Sequence, residues 1–249
     1  MYNNENDEKI QVNLPEGTKE LVLREGAAPA VFDYRGINYV AYSTESFIEL
    51  AQRRSKDKLV IAYNEDGMQA ILDDTVKDRP MDTVKYDYRY SRQYGEWKPI
   101  LAGTTMAQKD LMKFMKRRDP DEVEELEKLM YALQNFRFVT QIEGDFSNED
   151  NNNFTFMFKT KDGEGSIRVP KVLNANIEIL NESGFKQPVE IEVEVNKPTE
   201  AGKKPTFSLE CPKLQRYIDV ATDHEVEALK ASDIATNVSR TLLITGKLF

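Results

Sequence analysis

The sequence predicts an α+β protein, with antiparallel β-sheets in the N- and C-terminal halves and a helical hairpin between them. Three patterns carry that prediction. Val84, Tyr86, Tyr88 and Tyr90 alternate with Lys85, Asp87, Arg89 and Ser91, the period of a strand packed on one face and wet on the other. Val189, Ile191, Val193 and Val195 interleave in the same way with Glu190, Glu192 and Glu194. Between these regions, Leu111, Phe114 and Met115, then Val123, Leu126, Leu129, Met130 and Leu133, recur at helical spacing.

Residues 1–18 carry few apolar side chains and read as a flexible lead-in, with Ile10, Val12 and Leu14 alternating as a short strand would. Apolar stretches at 30–34 and 37–42 flank Arg35-Gly36, the pattern of a tight β-hairpin. Ser43 or Thr44 then caps a helix that gathers Phe47, Ile48, Leu50 and Ala51 on one side and turns Glu45, Glu49 and Arg53 to water. The strands KLVIAY and MQAILD follow, joined by Asn64-Glu65-Asp66-Gly67, whose Asp-Gly pair is a strong hairpin turn. The tyrosine strand comes next.

The helical pair covers residues 105–136. Thr105 and Gln108 form a capping-box pattern for the first helix, with Met106, Leu111, Phe114 and Met115 on its buried side. Asp119, Pro120 and Glu122 mark the start of the second. Strands return after Phe138, interrupted by the polar loop GDFSNEDNNN. Phe154, Phe156 and Phe158 alternate, KDGEG turns into SIRVP, and residues 175–180 and 189–195 continue the sheet. The loop NKPTEAGKKP leads to FSLEC, residues 224–238 read as a last helix, and TLLITGKLF as a closing strand. No Pro/Gly-rich linker separates the halves, so residues 19–249 read as one domain, with 19–137 and 138–249 as its alternative subdomains.

At 249 residues and 28.7 kDa, a chain of this size buries roughly three quarters of its unfolded surface, enough to fold without a disulfide or structural metal. One Cys and one His exclude an internal disulfide, zinc-finger spacing, a redox Cys-x-x-Cys and chemistry built on His/Cys clusters. The N-terminus is polar and acidic, and no stretch approaches the ~18 apolar residues of a membrane span; a reducing cytoplasm is expected. The net charge of −9, from 34 Lys+Arg and 43 Asp+Glu, disfavours general binding to nucleic acid or anionic membrane. Acidic and basic residues alternate too evenly for a DNA mimic.

The segment YDYRYSRQYGEW is the main candidate site. Tyr86, Tyr88, Arg89, Tyr90, Arg92 and Trp97 combine rings that stack on bases or ligands with cations that hold phosphates. The competing reading, which the strict alternation favours, is an aromatic face packed on a helix. Lys109, Lys113, Lys116, Arg117 and Arg118, followed at once by Asp119, Asp121, Glu122, Glu124, Glu125 and Glu127, read as solvated helix ends that suit the two macrodipoles, or as a basic patch for an acidic partner. Asp73-Asp74 and Glu65-Asp66 are paired carboxylates without further ligand spacing nearby, and Asp223-His224 reads as a helix start. The glycines of DGEGS lack the setting of a dinucleotide fold. No catalytic residue, metal or cofactor is assigned.

With those residues in place, the chain resembles the YfdQ-like family of bacteriophage and prophage proteins, a domain family of unknown function. The resemblance runs through the Ser46-Phe47 helix, AILDD, the aromatic strand leading to Glu96-Trp97 and LAG, and the Gln108 helix with Phe114. It continues through Val169-Pro170 and the closing LLITGKL, covering about residue 21 to the end. It implies a phage origin, expression in the host bacterial cytoplasm, and gene neighbourhoods of early or recombination functions; the family offers no catalytic residues to carry over. The expected function is a non-enzymatic binding or regulatory protein acting on a host protein, including one of an antiviral defence system, or on phage replication or recombination machinery. The alternatives are a nucleotide or small-molecule binder or Mg²⁺-dependent hydrolase, and a single-strand DNA-binding accessory protein. A free sheet edge is a usual route to a homo-oligomer, and the sequence leaves the oligomeric state open.

Overall fold

Strand β1 (Asn38–Val40) leads into helix α1 (Thr44–Arg54), which starts where its chemistry dictates. The Ser43 hydroxyl accepts from the Ser46 N–H, and the Ser46 hydroxyl lies 3.0 Å from the Ser43 N–H that donates to it, so two otherwise orphaned donors are satisfied. The computed structural model describes residues 36–55, 58–75, 80–135, 153–160, 163–196, 205–237 and 239–249, within the compact unit Arg35–Phe249. The lead-in at 1–18 and the expected hairpin partner at 30–34 lie outside the described residues.

Strands β2 (Leu59–Asn64) and β3 (Gly67–Ile71) form the expected hairpin, with Asn64 opposite Gly67. Asn64 Oδ1 accepts from the Asp66 and Gly67 N–H groups, the local bond that suits Asn to a turn. Gly67 has no room for a side chain: a Cβ there would stand 2.0 Å from the Tyr86 carbonyl oxygen. Strand β4 (Thr83–Asp87) pairs antiparallel with β3 and, on its other side, parallel with β1.

The aromatic segment is not one strand. Its strand ends at Asp87, short of the expected Tyr90, which makes only an isolated bridge to Leu180; the Ser91 hydroxyl then donates to the Glu178 carbonyl and accepts from the Tyr94 N–H, opening helix α2 (Arg92–Trp97). A second departure follows. Met106 and Ala107 form strand β5 instead of a capping box, and helix α3 (Gln108–Met115) begins without a side-chain cap. The Gln108 amide donates instead to the Leu133 carbonyl of helix α4 (Leu126–Asn135).

That fourth helix begins later than Pro120 for a physical reason. The Asn176 N–H donates to the Glu122 carbonyl at 2.7 Å and the Glu124 N–H to the Asn174 carbonyl at 2.9 Å, so this backbone pairs with a strand edge and is lost to a helix. Strands β6 (Asn153–Thr160) and β7 (Gly163–Pro170) form a hairpin; the preceding polar loop at 144–152 and the turn at 161–162 lie outside the described residues.

Strands β8 (Val172–Glu178), β9 (Lys186–Asn196) and β10 (Thr206–Glu210) complete an antiparallel sheet in the order β5-β10-β9-β8. Val189, Ile191 and Val193 are buried while Glu190, Glu192 and Glu194 face water, as the alternation requires. The last long helix, α5 (Leu214–Lys230), starts well before residue 224, and α6 (Asp233–Thr236) follows it. Strand β11 (Thr241–Thr245) then returns to the first sheet, parallel to β2, giving the order β1-β4-β3-β2-β11. That sheet is therefore antiparallel in its middle and parallel at both edges, and the strands do not sort into an N-terminal and a C-terminal set.

Two cores result. Phe47, Ile61, Met68, Val84, Tyr86 and Leu229 belong to the first, and Trp97, Leu111, Leu133, Ile177, Ile191 and Phe207 to the second. Helix α5 spans both, through Ala221 in the second and Leu229 in the first, and Tyr88 packs against each. None of the described helices is long and apolar enough to cross a membrane.

Candidate functional site

The aromatic segment divides between interior and surface. Tyr86, Tyr94 and Trp97 are fully buried, Tyr88 is half-buried, and Arg89, Tyr90 and Arg92 are exposed. The six candidate residues therefore do not share one face. Where rings do reach the surface, the protein's own cations cover them: the Arg89 guanidinium sits 5.2 Å from the Tyr42 ring centre and the Lys98 ammonium 4.7 Å from that of Tyr90. Tyr94 packs against Tyr90 with centroids 4.8 Å apart, and Arg92 pairs with Glu96 at 3.3 Å. Stacking a base there means displacing existing cation–π and ring contacts.

Inside, the hydroxyls of Tyr86, Tyr88 and Tyr94 are buried with no hydrogen-bond partner among the described groups. Burial raises the pKa of all three, to about 12 for Tyr94, and the nearby Glu225 carboxylate adds to the rise at Tyr86 and Tyr88. Glu225 is itself buried in α5 and accepts from the Thr44 hydroxyl at the start of α1. His224 lies in the middle of α5, not at its start; its ring stacks on Phe185 at 4.2 Å, and Nδ1 is 3.7 Å from Glu225 Oε1.

The basic run resolves differently from a uniformly solvated helix end. Lys109, Lys116 and Arg117 are exposed and Lys113 pairs with Asp110 at 3.6 Å, but the Arg118 side chain is only 4% exposed. Its guanidinium pairs with Glu96 and, at 3.2 Å, with Glu122, over the face of Phe114. The Arg118 hydrogen bond holds the Glu96 carboxyl below the usual glutamate range. Sequence spacing hides this cluster because its members lie on α2, the end of α3 and the connection to α4.

Asp73 accepts from the Thr75 N–H and hydroxyl at 3.1 and 2.5 Å, an ordinary local turn. Among the described residues no group of three or more His, Cys, Asp or Glu side chains could hold a metal. Burial pushes the Cys211 thiol up, away from thiolate character.

An open concavity lies elsewhere, between residues 120–128 and the strands β8 and β9. It is a groove of about 1000 Å³. Over the buried Val123, the side chains of Leu126, Pro188 and Tyr217 give it apolar surface, while Asp121, Glu124, Glu125, Glu127 and Glu190 line it with carboxylates beside Lys128, the one lysine among the described lining residues. The wall exists because residues 122–124 pair with β8, and Glu125 turns the chain into α4 with φ at +56°. In the sequence these acids look like the outer face of a helix; only the β8 pairing turns them toward a cavity.

No family model, curated protein or solved structure matches the chain.

Proposed function

We propose that this protein is a non-enzymatic binding and regulatory protein that engages a protein partner through the groove between residues 120–128 and β8–β9. One observation carries the reading: an open groove of about 1000 Å³ that combines apolar surface with carboxylates, so a partner can bury apolar area there and match its charge to the acids. The aromatic and cationic residues of the segment at 86–97 are engaged with the core or with neighbouring side chains such as Tyr42, Glu96 and Lys98, so they are not the binding surface proposed. A stable interface buries about 800 Å² on each partner, so the partner extends beyond the groove over the exposed face of β9. The resemblance to a phage family supports a partner in a bacterial host, belonging to the host or to the phage replication machinery.

Tagged protein expressed in bacteria, with and without phage infection, tests this. A partner identified by mass spectrometry and rebound with purified components is expected to be retained by the wild type and lost from Asn176→Tyr, which fills the groove from an exposed position. Equal retention by Asn176→Tyr, with circular dichroism unchanged, overturns the reading.

A further inference from the structure

We infer that the occupant of this groove is an extended protein segment carrying Lys or Arg at alternate positions. The inference rests on the groove being the binding surface, and deepens it by fixing the partner's chemistry. Charge is the first ground. Five carboxylates line the groove against Lys128, and that lysine already pairs with Glu125 at 2.6 Å. Glu190 has Lys213 at 3.6 Å, whereas Asp121 and Glu127 have no cation within ion-pair distance among the described residues. A partner with phosphates or an acidic surface is repelled here, and a basic one is steered in.

Spacing is the second ground. Glu190 lines the groove, and Glu192 and Glu194 follow it on the same exposed face of β9. Alternate residues of a strand stand about 7 Å apart. An extended chain with a cation at every second residue has the same repeat, so its charges stay in register along the strip. The third ground is the apolar lining. Lys and Arg have long hydrocarbon stems that bury against apolar surface while their heads stay polar, and Leu126, Pro188 and Tyr217 offer that surface beside the carboxylates.

The test is fluorescence anisotropy of the full chain with a labelled peptide of alternating Lys and Thr, about nine residues long to span the strip. A Glu-Thr peptide of equal length is the control. Saturable binding of the Lys-Thr peptide alone is expected. The triple variant Glu127→Gln, Glu190→Gln, Glu192→Gln should weaken it about tenfold, from the summed loss of exposed ion pairs. The triple variant Glu45→Gln, Glu49→Gln, Glu65→Gln, equal in charge but away from the groove, should leave it within about twofold. No binding of the Lys-Thr peptide, or equal weakening by both triples, overturns the inference. If the partner recovered from cells is lost from Asn176→Tyr but keeps its affinity for the groove triple, the groove reading stands and the basic segment fails. If Asn176→Tyr keeps the partner, the groove reading itself fails.

Discussion

The Trp97 indole N–H donates to Glu122 Oε1 at 2.6 Å, and the same oxygen accepts from Arg118 at 3.2 Å. This bond ties α2 to the chain that walls the groove. Glu122→Ala leaves the indole N–H without its acceptor and Arg118 with only Glu96, in a setting where breaking a buried pair costs about 3 kcal/mol. Urea unfolding should show that loss, and the sole tryptophan should shift its emission to longer wavelength as the packing around it loosens. A change below about 1 kcal/mol, the size of an ordinary surface substitution or little more, would mean that the bond carries no structural load.

At high pH the three buried tyrosines should resist ionisation. Their pKa values lie above the ordinary value of 10, with Tyr94 at about 12, so between those limits the folded state holds protons that the unfolded state releases. Stability therefore falls as pH rises from 10 through the folded values. Ultraviolet titration of the protein should leave Tyr86, Tyr88 and Tyr94, of its eleven tyrosines, ionising only as it unfolds. Smooth ionisation of all eleven without unfolding would contradict the burial.

At low pH the sign is opposite. Glu96 sits below the ordinary glutamate value of 4.5 because Arg118 hydrogen-bonds its carboxylate. Its contribution is complete above 4.5 and disappears as pH falls through the depressed folded value. The urea midpoint should drop over that window, and Glu96→Gln should flatten the drop. An unchanged slope in the variant would place the acid sensitivity elsewhere.

Gly67→Ala should destabilise the protein by about 2 kcal/mol or more, because the new methyl meets the Tyr86 carbonyl of a central strand and not a yielding side chain. Thermal melting reads this directly. A melting temperature within a degree or so of wild type would show that β3 and β4 can separate without penalty.

The α+β class, the β2–β3 turn, the capped start of α1 and the alternation of β9 were legible because each is a local signal: an Asp-Gly pair, a serine before an apolar helical face, a repeat of two. What escaped was decided at a distance. Nothing in the sequence announces that Glu122 and Glu124 pair with β8, so the second helix seems to start at Pro120. Nor does α5 carry a punctuating cap; Lys213 precedes it without a side-chain bond, and the helix begins unmarked. The tyrosine repeat reads on to Tyr90 although β4 stops at Asp87, because Tyr88 and Tyr90 keep the alternation while Tyr90 makes its bridge to Leu180 of another part of the chain. The groove was illegible for the same reason as the late start of α4, since the strand pairing that delays the helix also aims its acids.

Strand β11 covers the outer edge of β2 with residues 241–245, more than 170 positions further along the chain. During synthesis, β2, β3 and β4 emerge long before the strand that completes their sheet, and a nascent chain exposes a bare β-edge over that interval. Pairings across such separations slow folding and leave edges open to the wrong partner. That early hairpin therefore has to be shielded until residues 241–245 are made, and a chain truncated after residue 237 should accumulate as aggregate, not as a smaller folded protein.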